Sequence, residues 1–149
     1  MSPTAGADPD CPFCAIAAGA QADPIVYQDD HTLAFVDMRQ PSEGHTLVIP
    51  KRHIRNLYEL DDDTAGHLMR TVVRVSRAVR DAFACEGMSH WISTDPAGGQ
   101  EVHHLHIHIM PRRPGDGLLR KYSTPPATPP QDDRERQAVA IRAAIIDLQ

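Results

Sequence analysis

Apolar and polar positions alternate along the chain in short runs around one long amphipathic stretch. Residues 25–27, 32–37 and 45–49 read as strands, the third stopped by Pro50. Ala65, Leu68, Met69, Val72, Val75, Val79, Ala82 and Phe83 recur at helical spacing, which predicts a helix over residues 61–84. Asp61, Asp62 and Asp63 supply its N-cap and match the positive end of the helix dipole. Arg70, Arg74, Arg77 and Arg80 form its solvated face, Cys85 reads as a small core residue on the same pattern, and Gly87 is the expected stop. Residues 90–94 predict a fourth strand, residues 95–99 a turn, and residues 104–110 a fifth strand. Residues 11–19 suggest a short helix or turn. Strands, one long helix, then two strands favour an α+β fold with a largely antiparallel sheet of about five strands.

The fifth strand is His104-Leu105-His106-Ile107-His108-Ile109-Met110. Successive side chains of a strand point to opposite faces, so the three histidines share one face and Leu105, Ile107 and Ile109 enter a core. One histidine on a strand face is ordinary packing; three in register ask for chemistry.

Composition narrows the field. A chain of 149 residues with 41% hydrophobic content supports one domain with a real core. No apolar run approaches the ~20 residues of a membrane span. Residues 1–10 carry neither a basic region nor an apolar core and read as a flexible leader, which leaves the cytoplasm as the expected location. A net charge of −5 argues against nucleic acid as a partner. Lys51, Arg52 and Arg55, or Arg112 and Arg113, offer local sites for a small anion. Three cysteines, two of them close together, do not make a secreted disulfide framework. After Arg113 the chain changes character. Residues 123–130 are proline-rich and extended, and residues 132–148 predict a helix. Its stripe of Ala138, Ile141, Ile145 and Leu148 must pack on its own body or on a partner.

The triad, preceded by Gly99-Gln100-Glu101-Val102 and followed by Pro111-Arg112, resembles the histidine triad (HIT) family. The segment Gly44-His45-Thr46-Leu47-Val48-Ile49-Pro50-Lys51-Arg52-His53 resembles the family's other signature. The likeness covers residues 11–114 and implies a HIT-like α+β fold, with residues 115–149 as an extension. It also implies a homodimer, a bound nucleotide and chemistry at its α-phosphate. By that resemblance His106 is the nucleophile, its second ring nitrogen donating to the His104 carbonyl. His108 contacts phosphate oxygens, His45 supports the triad, and Gln100 meets the phosphate on the leaving-group side. Asp37 holds the ribose hydroxyls, Phe13, Ile16, Phe35 and Met38 form the base slot, and Ser93 stands where relatives often carry Asn. Glu101 would disfavour highly charged substrates if it faced inward. A final His108 where transferase branches carry Gln favours hydrolysis. Pro111-Arg112 leans toward dinucleoside polyphosphates over nucleoside phosphoramidates as the nucleotide conjugate.

Cys11-Pro12-Phe13-Cys14 is a metal knuckle or a redox pair. No strand precedes it, as a thioredoxin-like motif requires. Bacterial zinc-containing members of the family pair such a motif with a histidine after Pro-Lys-x and with the first triad histidine. Here those are His53 and His104, which implies a structural zinc on Cys11, Cys14, His53 and His104. Two other readings stand beside the hydrolase: a module that binds metal through the triad itself, and a nucleotide sensor without turnover.

Overall fold

The computed structural model describes residues 6–118 and 124–145. It divides into two compact units, Met1–Leu118 and Leu119–Gln149. In the first unit the order is α1 (Pro12–Ala17), β1 (Ile25–Gln28), β2 (Thr32–Val36), β3 (Thr46–Pro50), α2 (Asp62–Phe83), β4 (Gly87–Ile92) and β5 (Ile107–Arg112). Short 3-10 turns at Leu57–Glu59 and Pro96–Gly98 flank α2 and precede β5. The five strands form one sheet in the order β1-β2-β3-β5-β4, and every neighbouring pair is antiparallel. This is the α+β architecture expected, with one long helix and a short N-terminal one.

Period-two alternation gives the sheet two buried faces. Ala34, Val48, Ile107 and Ile109 face Leu68, Val72, Val75 and Val79 of α2. Leu33, Phe35, Leu47 and Ile49 face Phe13, Cys14 and Ile16 of α1. β3 lies between β2 and β5, and all five of its residues are buried. Burying one such aliphatic side chain stabilises by about 1.5–3 kcal/mol. A buried polar tie across the larger face is also satisfied: the Thr32 and Thr71 hydroxyls meet at 2.7 Å.

Several boundaries differ from the sequence reading. The helix ends at Ala84, as its 61–84 span predicts, but the stop is Ala84 itself, left-handed at φ 48°, and not Gly87. A non-glycine there is strained. Arg113 compensates by donating to the Phe83 and Ala84 carbonyls, which α2 leaves unpaired. Gly87 instead opens β4, which starts and ends earlier than expected. Pro50 belongs to β3, and the β5 ladder begins at Ile107, so His104 to His106 precede it. The alternation survives: Leu105 joins the α2 side while the His104 and His106 rings meet Phe13. Cys85 lies past the helix and is half-buried. Arg74 is not simply solvated, since its guanidinium sits over the Tyr27 ring, 5.0 Å from the centroid. The anion-site cations Arg52 and Arg112 are committed, Arg52 to the helix cap Asp61 and Arg112 to Asp116 and the Leu118 carbonyl.

Of the expected leader, residues 6–10 are exposed and residues 1–5 lie outside the described residues. The second unit contains α3 (Gln131–Ala144). Ile141 and Ile145 of its expected stripe are exposed, and Leu148 lies outside the described residues. No helix among the described residues is long and apolar enough to cross a membrane.

Gly44 places the start of β3. Its φ is +90°, and an added Cβ would lie 2.6 Å from the Phe83 ring at the end of α2. Gly19 has φ +73° with nothing within 4 Å. Gly19→Ala isolates the backbone cost, about 1 kcal/mol. Gly44→Ala adds the clash and is expected to cost about 2–4 kcal/mol in total. Urea unfolding of the two variants side by side checks this; equal midpoints would show that Phe83 does not constrain the loop.

Candidate active site

A cleft of about 320 Å³ opens on the α1 side of the sheet. Phe13 and Ile16 from α1, Phe35 at the end of β2, and Met38 wall its apolar end. Asp37 follows β2, and Ser93 follows β4. His106 and His108 line it too, the His106 ring meeting Phe13 edge-on with centroids 5.2 Å apart. Eight residues singled out in the sequence therefore share one pocket. Met38 is 84% exposed and forms only the rim.

The state of His106 follows from one contact. Its Nδ1 lies 2.7 Å from the His104 carbonyl, which can only accept, so Nδ1 carries the proton and Nε2 keeps its lone pair. Burial lowers the His106 pKa, against the carbonyl bond and the charges of Asp37 and Glu101. Burial and the neighbouring His106 and His45 push His108 down to about 3. His45 is lowered as well, by burial. At neutral pH the cluster is uncharged, and a neutral imidazole with a free lone pair is a competent nucleophile.

His45 does not line the cleft. It is buried behind it, with Nε2 2.9 Å from Nδ1 of His108. Gln100 also departs from its expected place. Its amide donates to the Arg55 and Val102 carbonyls, and its oxygen accepts from Asp95 N–H at 2.9 Å. All three contacts turn it inward, so it braces the loop and does not face a phosphate. Sequence reasoning missed the rest of this brace. Asn56 donates to the Asp95 carboxylate at 2.9 Å, and Asp95 has φ +60°, a conformation that such bonds must hold.

Trp91 was missed too. It stacks on His108 with ring centroids 4.1 Å apart and planes 6° from parallel. The β4–β5 register pairs the two residues directly, which alternation alone could not reveal. At the rim Glu101 lines the cleft and pairs with Arg39 at 2.6 Å, so its charge is met from within the protein.

Cys11, Cys14, His53 and His104 offer four ligand atoms within 4.8 Å of one another. Cys11 Sγ is 3.3 Å from His104 Nδ1, Cys14 Sγ is 3.3 Å from His53 Nδ1, and Cys14 Sγ is 3.6 Å from His104 Nδ1. Tetrahedral zinc with sulfur at about 2.3 Å and nitrogen at about 2.0 Å sets such pairs about 3.5 Å apart. His104 Nε2 lies 2.8 Å from the Pro50 carbonyl, so that nitrogen is the donor and Nδ1 turns its lone pair to the thiols. Burial pushes the Cys14 thiol up to about 11, so a thiolate there needs a cation. The donor set fits a structural metal with no open position.

Comparison with known proteins agrees with this geometry. Residues 18–115 match the HIT domain. The chain is 45% identical over 115 residues to the "Protein hit" of Bacillus subtilis, covering 76% of this chain and 79% of that one. A crystal structure of a HIT family member from Bacillus subtilis superposes with a TM-score of 0.86 at 37% identity, over 93% of this chain and 99% of that one. A zinc-bound histidine triad family protein from Mycobacterium smegmatis superposes at 0.70 with 32% identity, over 91% and 96% of the two chains. With the three histidines, His45 and the sheet that carries them in place, the chain belongs to the HIT domain family.

Proposed function

We propose that the protein is a nucleotide hydrolase acting at the α-phosphate of a nucleotide conjugate through a nucleotidyl-His106 intermediate. The observation that carries this reading is the His106 Nδ1 contact with the His104 carbonyl, which leaves Nε2 bare beside a nucleoside-sized cleft. In the first step Nε2 bonds to phosphorus and the leaving group departs with its electron pair. Water then attacks phosphorus, the P–N bond breaks and His106 is regenerated. Phe13, Ile16, Phe35 and Met38 hold the base, Asp37 accepts from the ribose hydroxyls, Ser93 supplies a polar contact, and His108 stands beside the phosphate. Gln100 acts indirectly, by holding the loop that carries Glu101. The leaving side is a nucleoside polyphosphate or an amine, and hydrolysis is favoured over transfer.

His106→Ala is expected to lower turnover by about three orders of magnitude or more while nucleotide still binds. A panel of dinucleoside polyphosphate and nucleoside phosphoramidate substrates, with isothermal titration of the variant, checks both halves. Turnover of neither class by the unaltered protein, with tight nucleotide binding, would favour a sensor instead.

Zinc belongs to the same reading. Bound by Cys11, Cys14, His53 and His104, it ties α1 to the strand before His106 and supplies no activated water. Thiols kept for a metal suit a reducing, cytoplasmic setting. One zinc per chain is expected in elemental analysis, lost in a Cys11→Ser/Cys14→Ser variant with a lower melting temperature. A variant with unchanged metal content and stability would remove the assignment.

The assembly we propose is a homodimer through α2 and the free edge of β4. Met69, Val72, Val73, Trp91 and Ile92 form an apolar groove there, with Met69 and Val73 exposed. Sedimentation at micromolar concentration should give a dimer, and Val73→Asp should shift it toward monomer. A monomer from the unaltered chain would defeat the proposal.

A further inference from the structure

One buried side-chain atom of the site lacks a hydrogen-bond partner among the described residues: Nδ1 of His45, on a side chain only 4% exposed. The other nitrogen of that ring is engaged. Its Nε2 lies 2.9 Å from Nδ1 of His108, and in a neutral pair only one of these two atoms carries the bridging proton. What faces the far side of His45 decides which. Asp37 Oδ2 is 3.8 Å from Nδ1. The Asp37 carboxylate and the Arg39 backbone both favour a proton on this ring. Negative potential on the Nδ1 side selects the Nδ1–H tautomer. Nε2 of His45 then accepts, Nδ1 of His108 donates, and Nε2 of His108 is left with a lone pair.

We propose that Asp37 is a positioning residue that acts through His45 to hold His108 as a proton acceptor at Nε2. The purpose of this chain rests on the hydrolase reading above. The Asp37 carboxylate has two oxygens with separate duties: Oδ1 accepts from Arg39 N–H at 3.1 Å, while Oδ2 faces His45. In the second step water bonds to phosphorus, the P–N electron pair returns to Nε2 of His106, and a water proton passes to Nε2 of His108. The positive charge leaves the nucleotidylated His106 ring and arrives on His108, where it is felt by Asp37 across His45. The carboxylate proposed to hold the ribose therefore also sets the proton affinity of the group that handles water. Ribose recognition and proton transfer share one residue.

Asp37→Asn separates the two duties. The amide keeps an oxygen for Arg39 N–H and turns its NH₂ toward His45, a donor facing a donor. His45 should then carry its proton on Nε2, and His108 should carry its own on Nε2 in turn. Nitrogen-15 spectra of the imidazoles in the ligand-free full chain read these tautomers directly. The expected result is Nδ1–H on both rings in the unaltered protein and Nε2–H on both in the variant. Nε2–H on His45 of the unaltered protein, or no change on substitution, overturns the proposal. Neither outcome depends on turnover, so the hydrolase reading stands or falls separately. A second arm uses a substrate lacking the 2′ and 3′ hydroxyls. Asp37→Asn should still lower kcat on it about tenfold or more; an unchanged kcat would confine Asp37 to ribose binding and overturn the proposal.

Discussion

His104 is the residue on which the site depends, because it is anchored from three directions at once. Its ring is fully buried, with one nitrogen on the Pro50 carbonyl and the other at the two cysteines. Its own carbonyl receives the proton of His106. The tautomer of His106 is therefore set by a peptide group that cannot turn without disturbing β3 and the cysteine cluster. Orientation at this level is what the proposed covalent catalysis requires, since a small misplacement costs a large factor in rate.

Around that anchor the sheet divides its labour by face. The α2 side is a mainly aliphatic layer in which Leu105, Ile107 and Ile109 pack, with the paired Thr32 and Thr71 hydroxyls within it. The opposite side carries the aromatic and ionisable groups, and there burial keeps His45, His106 and His108 neutral. Neutrality suits the phosphate chemistry proposed for the cleft. Charged imidazoles would trap a phosphate, whereas neutral ones leave charge to develop during reaction, where stabilising it lowers the barrier.

The triad was legible because strand alternation is local: three histidines at even spacing share a face wherever the ladder begins. The pocket residues Phe13, Phe35 and Asp37 and the metal quartet came from family resemblance, and the fold brings each set together. What escaped depended on distant partners. Gln100 has the right residue type for phosphate, but the Arg55 carbonyl and Asp95 claim its amide. The helix end at Ala84 was legible but its cap was not, because the donor to the last carbonyls is Arg113, far along the chain. Trp91 became part of the site only through its register with His108. Strand ends shifted by a few residues for the same reason, since a strand stops where its partner does.

The strand order has a consequence for how the protein is made. β5 is the last strand of the sheet in the chain, yet it lies between β3 and β4. During synthesis from the N-terminus, β3 and β4 emerge first with the edges that will receive β5 still unpaired. Open edges of this kind invite pairing with other chains. The sheet can close only when residues 107–112 are available, and the same segment follows directly on His106. Closing the sheet and placing His106 against its cleft are therefore one event.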